Sequence, residues 1–135
     1  MSTARRTWQL AESRIAAFFG CRRAVFSGSA GRPDQLTQSD STHERLFVES
    51  KYRETHAART LHDATRELAR KESKVPVVCL VDKGRPGWLI CVHSDDFERV
   101  VAEWAAGLDD AGRDRLEGSI RRAYAGRRGV EAGAG

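Results

Sequence analysis

The chain has 135 residues, 40% apolar and 31% charged, with a formal net charge of +4. That length suits one domain with a real core and leaves no room for separate catalytic and DNA-reading domains, and the apolar share excludes a disordered chain. Cys21, Cys79 and Cys91 are widely separated with no C-x-x-C pair, so neither a disulfide framework nor a structural zinc site is expected and a reducing compartment is the natural setting.

The N-terminus lacks an apolar signal core, and no segment approaches the roughly 18 apolar residues of a membrane span. A soluble, cytoplasmic protein without membrane association is expected. The first 32 residues hold six arginines against the single acid Glu12. Such asymmetry suits a polyanion partner and, equally well, a solvated basic surface.

In chain order, Trp8, Ala11, Ile15, Phe18 and Phe19 recur at helical spacing over residues 7–19, and Gly20 is placed to end that helix. Ala24, Val25 and Phe26 form a short apolar run before Gly28, which reads as a first strand over residues 22–27. Residues 27–43 have turn chemistry with almost nothing to bury. Residues 45–51 read as a second strand, with Phe47, Glu49 and Lys51 on one face and Leu46, Val48 and Ser50 on the other.

A second amphipathic helix is expected over residues 54–71, from Ala57, Leu61, Ala64 and Leu68. The near-continuous run from Val75 to Val81 reads as a strand covered on both faces, with Pro76 at its start and Cys79 buried. Residues 82–87 turn the chain into a fourth strand, 88–93, as a hairpin that also buries Cys91. Ser94 resembles the N-cap of a helix over residues 95–106. Beyond Gly107 a short helix between residues 109 and 124 is expected, with residues 127–135 fraying. Trp8, Trp88 and Trp104 fall at apolar periodic positions and read as core or dimer contacts. His56 and His62 read as surface or helix-edge residues.

The chemistry concentrates between Asp40 and Lys51. An acid in a polar loop is followed nine residues later by Glu49-Ser50-Lys51 at the end of a strand-like run. A carboxylate beside an ammonium, with a second carboxylate arriving from the loop, supplies the parts needed to hold Mg²⁺ and ready a water for attack on a phosphodiester. An E-x-K tripeptide alone is common on solvent-facing strands. The upstream acid, the Gly/Ser-rich loop and the helix ahead of both give it context.

This arrangement resembles the PD-(D/E)XK nuclease superfamily, and within it the small Holliday junction resolvase-like endonucleases. The resemblance covers about residues 8–104 in element order, with its specific motif in residues 27–51. It implies an α/β fold of restriction-endonuclease-like type, a mixed β-sheet flanked by helices in the order α-β-β-α-β-β-α. It also implies one nuclease-like domain over residues 1–106, followed by a helical or flexible basic extension over 107–135.

By the same resemblance, Asp40 and Glu49 are the metal-binding acids and Lys51 is the lysine beside the attacking water. The main-chain carbonyl of Ser50 completes the metal shell and Glu12 joins it from the first helix. Ser27, Gly28 and Ser29 form the small-residue loop near the scissile phosphate. Asp34, preceded by Pro33, competes with Asp40 for the first-acid role. The implied cofactor is Mg²⁺, with Mn²⁺ able to replace it, and the implied partner is DNA. Arg32 and Arg53 are candidate phosphate contacts, and His43 lies beside the site.

The leading expectation is a Mg²⁺-dependent endodeoxyribonuclease acting on branched or structured DNA, as a homodimer whose twofold axis matches a junction's paired strands. The rivals are a non-catalytic nucleic-acid-binding module on the same fold, a restriction or repair-type nuclease acting on linear duplex, and an α/β interaction protein with a coincidental E-x-K.

Overall fold

A computed structural model of the chain describes residues 3–25 and 39–131, with side chains up to residue 127. The architecture is mixed α/β: four α-helices and one two-stranded antiparallel sheet among the described residues. The chain divides into two units, Met1–Thr55 and His56–Gly135.

The first unit opens with α1 (Thr3–Phe18). Its ending follows from Gly20, which takes φ 71°. In that left-handed conformation the Gly20 N–H reaches the Ala17 carbonyl and the Cys21 N–H reaches the Ala16 carbonyl, both at 3.0 Å. This pairing satisfies carbonyls that the helix end would otherwise leave open. The buried face of α1 is centred on Glu12 and Ala16, one helical turn apart. The expected apolar stripe is therefore displaced around the helix: Ala11, Ile15 and Phe19 are half-buried, while Trp8 and Phe18 are exposed.

After α1 the chain runs antiparallel to the segment around Asp40. The Ala24 N–H donates to the Asp40 carbonyl and the Thr42 N–H to the Arg22 carbonyl, each at 2.9 Å, around a single bridge between Arg23 and Ser41. Among its described residues, 22–25, the expected first strand forms one bridge. The expected second strand over 45–51 forms no ladder. It is tied instead through Val48, whose carbonyl accepts from the Asp40 N–H at 2.9 Å and whose N–H and carbonyl both bond the buried Ser39 hydroxyl at 2.9 Å. A hydroxyl takes the place of a backbone partner, which removes the regular pairing a strand requires. The alternation survives only from residue 47 to 51, with 47, 49 and 51 exposed and 48 and 50 half-buried; Leu46, expected on the face of Val48 and Ser50, is exposed.

The second unit holds α2 (Ala57–Lys71), the hairpin of β1 (Val78–Leu80) and β2 (Leu89–Cys91), a 3₁₀ turn (Ser94–Asp96), α3 (Phe97–Ala106) and α4 (Asp110–Glu131). The hairpin register pairs Val78 with Cys91, Cys79 with Ile90 and Leu80 with Leu89. Contrary to expectation Cys79 is exposed and Cys91 half-buried, because α2 packs on β1 and the sheet has only alternate positions half covered. Trp88 and Trp104 are exposed as well, so none of the three tryptophans is a core residue.

His93, rather than Ser94, caps the 3₁₀ turn, its Nδ1 accepting the Asp95 N–H at 3.1 Å. The ring of His62 is buried in α2 with its centroid 6.1 Å from that of His93, which is why it is not at the surface. α4 continues to Glu131, past the expected end at residue 124, and the expected fraying from residue 127 does not begin there. No helix among the described residues is long and apolar enough to cross a membrane.

Replacing Gly20 forces a Cβ into the left-handed region, at a cost of roughly 1–2 kcal/mol. Gly20→Ala is expected to lower the unfolding free energy by that amount, read as a lower urea midpoint with an unchanged denaturant slope.

Candidate functional site

Asp40 is held at three points. Its backbone bonds Ala24 on one side and Val48 on the other, and its carboxylate Oδ2 accepts the Ser50 N–H at 2.6 Å. That last bond is short and charge-assisted. It seats the loop acid directly against the Glu49-Ser50-Lys51 backbone, as the sequence spacing predicts. Ser39 and Ser41, each 1% exposed, flank Asp40, with the Ser41 N–H donating to the Ser39 hydroxyl at 3.3 Å. No sequence signal beyond turn chemistry singles out Ser39, yet it carries the attachment of Val48.

Glu49 and Lys51 lie on the exposed face of their segment and form an ion pair at 2.9 Å. Both are well solvated, so this pair contributes little to stability and leaves both groups accessible. Arg53 is exposed just beyond them. His43 turns its Nδ1 to the Arg45 and Leu46 N–H groups, at 3.0 and 2.9 Å, and so shapes the turn that leads into the motif.

Glu12 reaches the same region from α1. It is 1% exposed, its Oε2 lies 3.3 Å from Arg23 Nη1, and its Oε1 is buried without a hydrogen-bond partner. Its pKa is raised above the usual carboxylate value. Burial is the main cause and the negative charge of Asp40 the next; the Arg23 bond and charge oppose them, and Glu49 adds a further push. The charges of Asp40 and Glu49 therefore both act on Glu12, which brings three of the sequence-predicted acids into one electrostatic neighbourhood. Arg23 is the counter-ion of Glu12.

Ser50 Oγ is a second buried oxygen without a partner. Among the described residues no group of three or more His, Cys, Asp or Glu side chains is placed to hold a metal ion. Ser27, Gly28, Ser29, Arg32 and Asp34 lie outside the described residues, so the choice between Asp34 and Asp40 rests on the placement of Asp40 alone. In the second unit a cleft of about 540 Å³ is lined by Val75, Val77, Val100 and Trp104 with Lys74 and Arg99, and contains none of the predicted site residues.

The raised pKa of Glu12 sets a sign. Its contribution to stability is fully present below the unfolded-state value near 4.5 and is lost as pH rises through the higher folded-state value. Glu12→Gln, which removes that titration, is expected to gain in urea midpoint on the wild type between pH 4 and pH 7. A midpoint difference constant over this range would contradict the burial argument.

The sequence matches no protein-family model, and no curated protein or solved structure shows a significant likeness to it, so the site stands on its own residues.

Proposed function

We propose that the protein is a Mg²⁺-dependent DNA endonuclease of the PD-(D/E)XK type, with the resolvase-like preference for branched or structured DNA and a twofold dimer as its working form. The observation that carries this reading is the bond from the Ser50 N–H to Asp40. It joins an acid from a loop to a Glu-x-Lys segment at the point where such a site needs them together. The restriction-endonuclease-like element order belongs to the same proposal.

The donor set fits a hard cation. Asp40, Glu49, Glu12 and the Ser50 carbonyl offer only oxygen, and the buried Glu12 Oε1 is left without a partner inside the protein. Mg²⁺ is commonly held by one or two carboxylates plus substrate phosphate, so a preformed cluster of three side chains is not required. When bound, the ion would offset charge on the phosphate and make water more acidic.

The chain's own residues do the rest. The Ser50 N–H fixes the Asp40 carboxylate in one orientation, so little reorganisation accompanies substrate binding. Arg23 neutralises Glu12 on the side away from its open oxygen. Lys51, paired with Glu49 at 2.9 Å, places a positive charge where it can orient the attacking water and face the phosphate. Water adds to phosphorus, the bond to the leaving sugar oxygen breaks, and a phosphomonoester and a hydroxyl result.

Cleavage of a four-way junction, a linear duplex and a single strand in Mg²⁺ or Mn²⁺ tests this reading. The junction is expected to be cut, cleavage to stop with EDTA, and Glu49→Ala or Lys51→Ala to lower the rate at least about a hundredfold, in the range seen when one stabilising group is removed. Binding of the junction in EDTA is expected to persist in Lys51→Ala. Full cleavage by either variant sinks the assignment. Binding without cleavage of any substrate favours the non-catalytic module.

A further inference from the structure

The run from Val75 to Val81 has the near-continuous apolar pattern of a strand covered on both faces, and the second unit covers only one of them. In the antiparallel hairpin, residues directly opposite one another share a face, so Val78, Leu80, Leu89 and Cys91 project to one side and Cys79 and Ile90 to the other. Val78, Leu80 and Cys91 are half-buried, which puts α2, the helix packed on β1, on their side; Leu89, at the turn end, is exposed.

The opposite face has no such cover and carries no charged side chain. Continuing the alternation places Val77 and Val81 beside Cys79, and Trp88 beside Ile90. Val77 is 38%, Val81 68%, Trp88 62% and Ile90 64% exposed, and Cys79 is exposed with them. Val77 also lines the cleft with Val100 and Trp104, so the apolar surface runs on from the sheet to α3.

The rest of the unit does not compensate. Its buried residues, among those described, are His62, Pro76 and Gly112, so no large apolar side chain is fully withdrawn from water. A unit of this size draws its stability from such side chains, closed between at least two layers.

Area and charge together indicate the missing layer. Taking about 150 Å² for a freely exposed valine or isoleucine side chain and about 250 Å² for tryptophan, Val77, Val81, Trp88, Ile90 and Trp104 leave on the order of 550 Å² of apolar surface in water. That is near the upper end of what a soluble monomer exposes in one patch. Two such faces together reach about 1,100 Å², which is enough for a specific interface at the small end of the range. Because the face carries no charge, a twofold copy of it brings no group that would be buried unpaired, and the face is complementary to itself.

We propose that the second unit forms a twofold dimer by stacking this sheet face on the same face of a second copy. Sheets packed in this way lie about 10 Å apart with their strands within about 30° of alignment. Trp88 and Ile90 fill the space between the sheets, Cys79 leaves water, and the strand is covered on both faces as its sequence pattern requires. The interface rests on the packing of the second unit alone and stands without the nuclease reading; it supplies a surface for the twofold dimer named there.

The test is the mass of the full chain by light scattering across a dilution series, together with the rate at which N-ethylmaleimide labels Cys79, located by peptide mass spectrometry. Wild type is expected to have the mass of two chains at high concentration and to fall towards one on dilution. Labelling of Cys79 is expected to speed up at least about tenfold over the same series, as mass action opens the interface. Ile90→Lys is expected to weaken dimerisation at least about a hundredfold, because each copy then brings an uncompensated charge to a dry interface. Leu68→Lys is the control: Leu68 is as exposed as Ile90, at 63% against 64%, but lies on α2, and its replacement is expected to leave the mass unchanged. Circular dichroism establishes that both variants keep their helices.

A wild type that stays monomeric at every concentration overturns the proposal, and slow labelling in that monomer would place another part of the same chain on the face. Dimers that survive Ile90→Lys, or that are lost equally in Leu68→Lys, also overturn it. If Ile90→Lys unfolds, the wild-type series decides alone: a dimer whose Cys79 labels at the same rate as the monomer's uses some other surface. The two readings fail separately, since a dimer that cleaves no DNA removes only the nuclease and a monomer that cleaves removes only this interface.

Discussion

Everything in the first unit is organised around the backbone of Asp40. Its carbonyl accepts from Ala24, its N–H donates to Val48, and its side chain accepts from Ser50. One residue is thus the middle of three adjacent chain segments and the acid of the site. A carboxylate anchored by its own main chain on both sides has few alternative positions, and the bond from Ser50 removes most of those left. The site is pre-organised by the same bonds that hold the unit together. For that reason a substitution at Asp40 does not separate structure from chemistry, whereas Glu49 and Lys51, both exposed and paired with each other, do.

The electrostatics follow from this placement. With Asp40 fixed, Glu12 on α1 is buried next to a second negative charge, and Arg23 answers it from the adjoining segment. A buried acid with one oxygen unpartnered works against stability: burial disfavours its charged form, and a single arginine at 3.3 Å compensates only in part. Structural convenience would place an apolar residue at this point on the buried face of α1, beside Ala16. On the proposed nuclease reading, a carboxylate there, within electrostatic reach of Asp40 and Glu49, adds to the negative charge of the site.

The sequence was legible wherever periodicity and local chemistry decide structure. The helices over Ala57–Lys71 and Phe97–Ala106, the β1–β2 hairpin and the alternation of Glu49 and Lys51 with Val48 and Ser50 all follow from spacing. It was less legible where a side chain replaces the backbone. Ser39 pairs with Val48 in place of a strand, and His93 caps a turn that Ser94 was expected to cap. Neither choice leaves a periodic trace. The buried face of α1 misled for a related reason: hydrophobic spacing points to Trp8 and Phe18, but that face is centred on Glu12, which pairs with Arg23. His62 shows the same effect in α2, where ring contact with His93 outweighs its polarity.

Net charge says little about how charge is distributed along this chain. Residues 1–55 hold nine of the 23 basic residues and six of the 19 acids, so the first unit carries +3 of the overall +4. Local density matters more than the sum, because at physiological salt a charge acts over only about 8 Å. Within that distance Arg59 and Arg70 sit beside Asp63 and Glu67 and are offset at close range, so they add little to the field of the second unit.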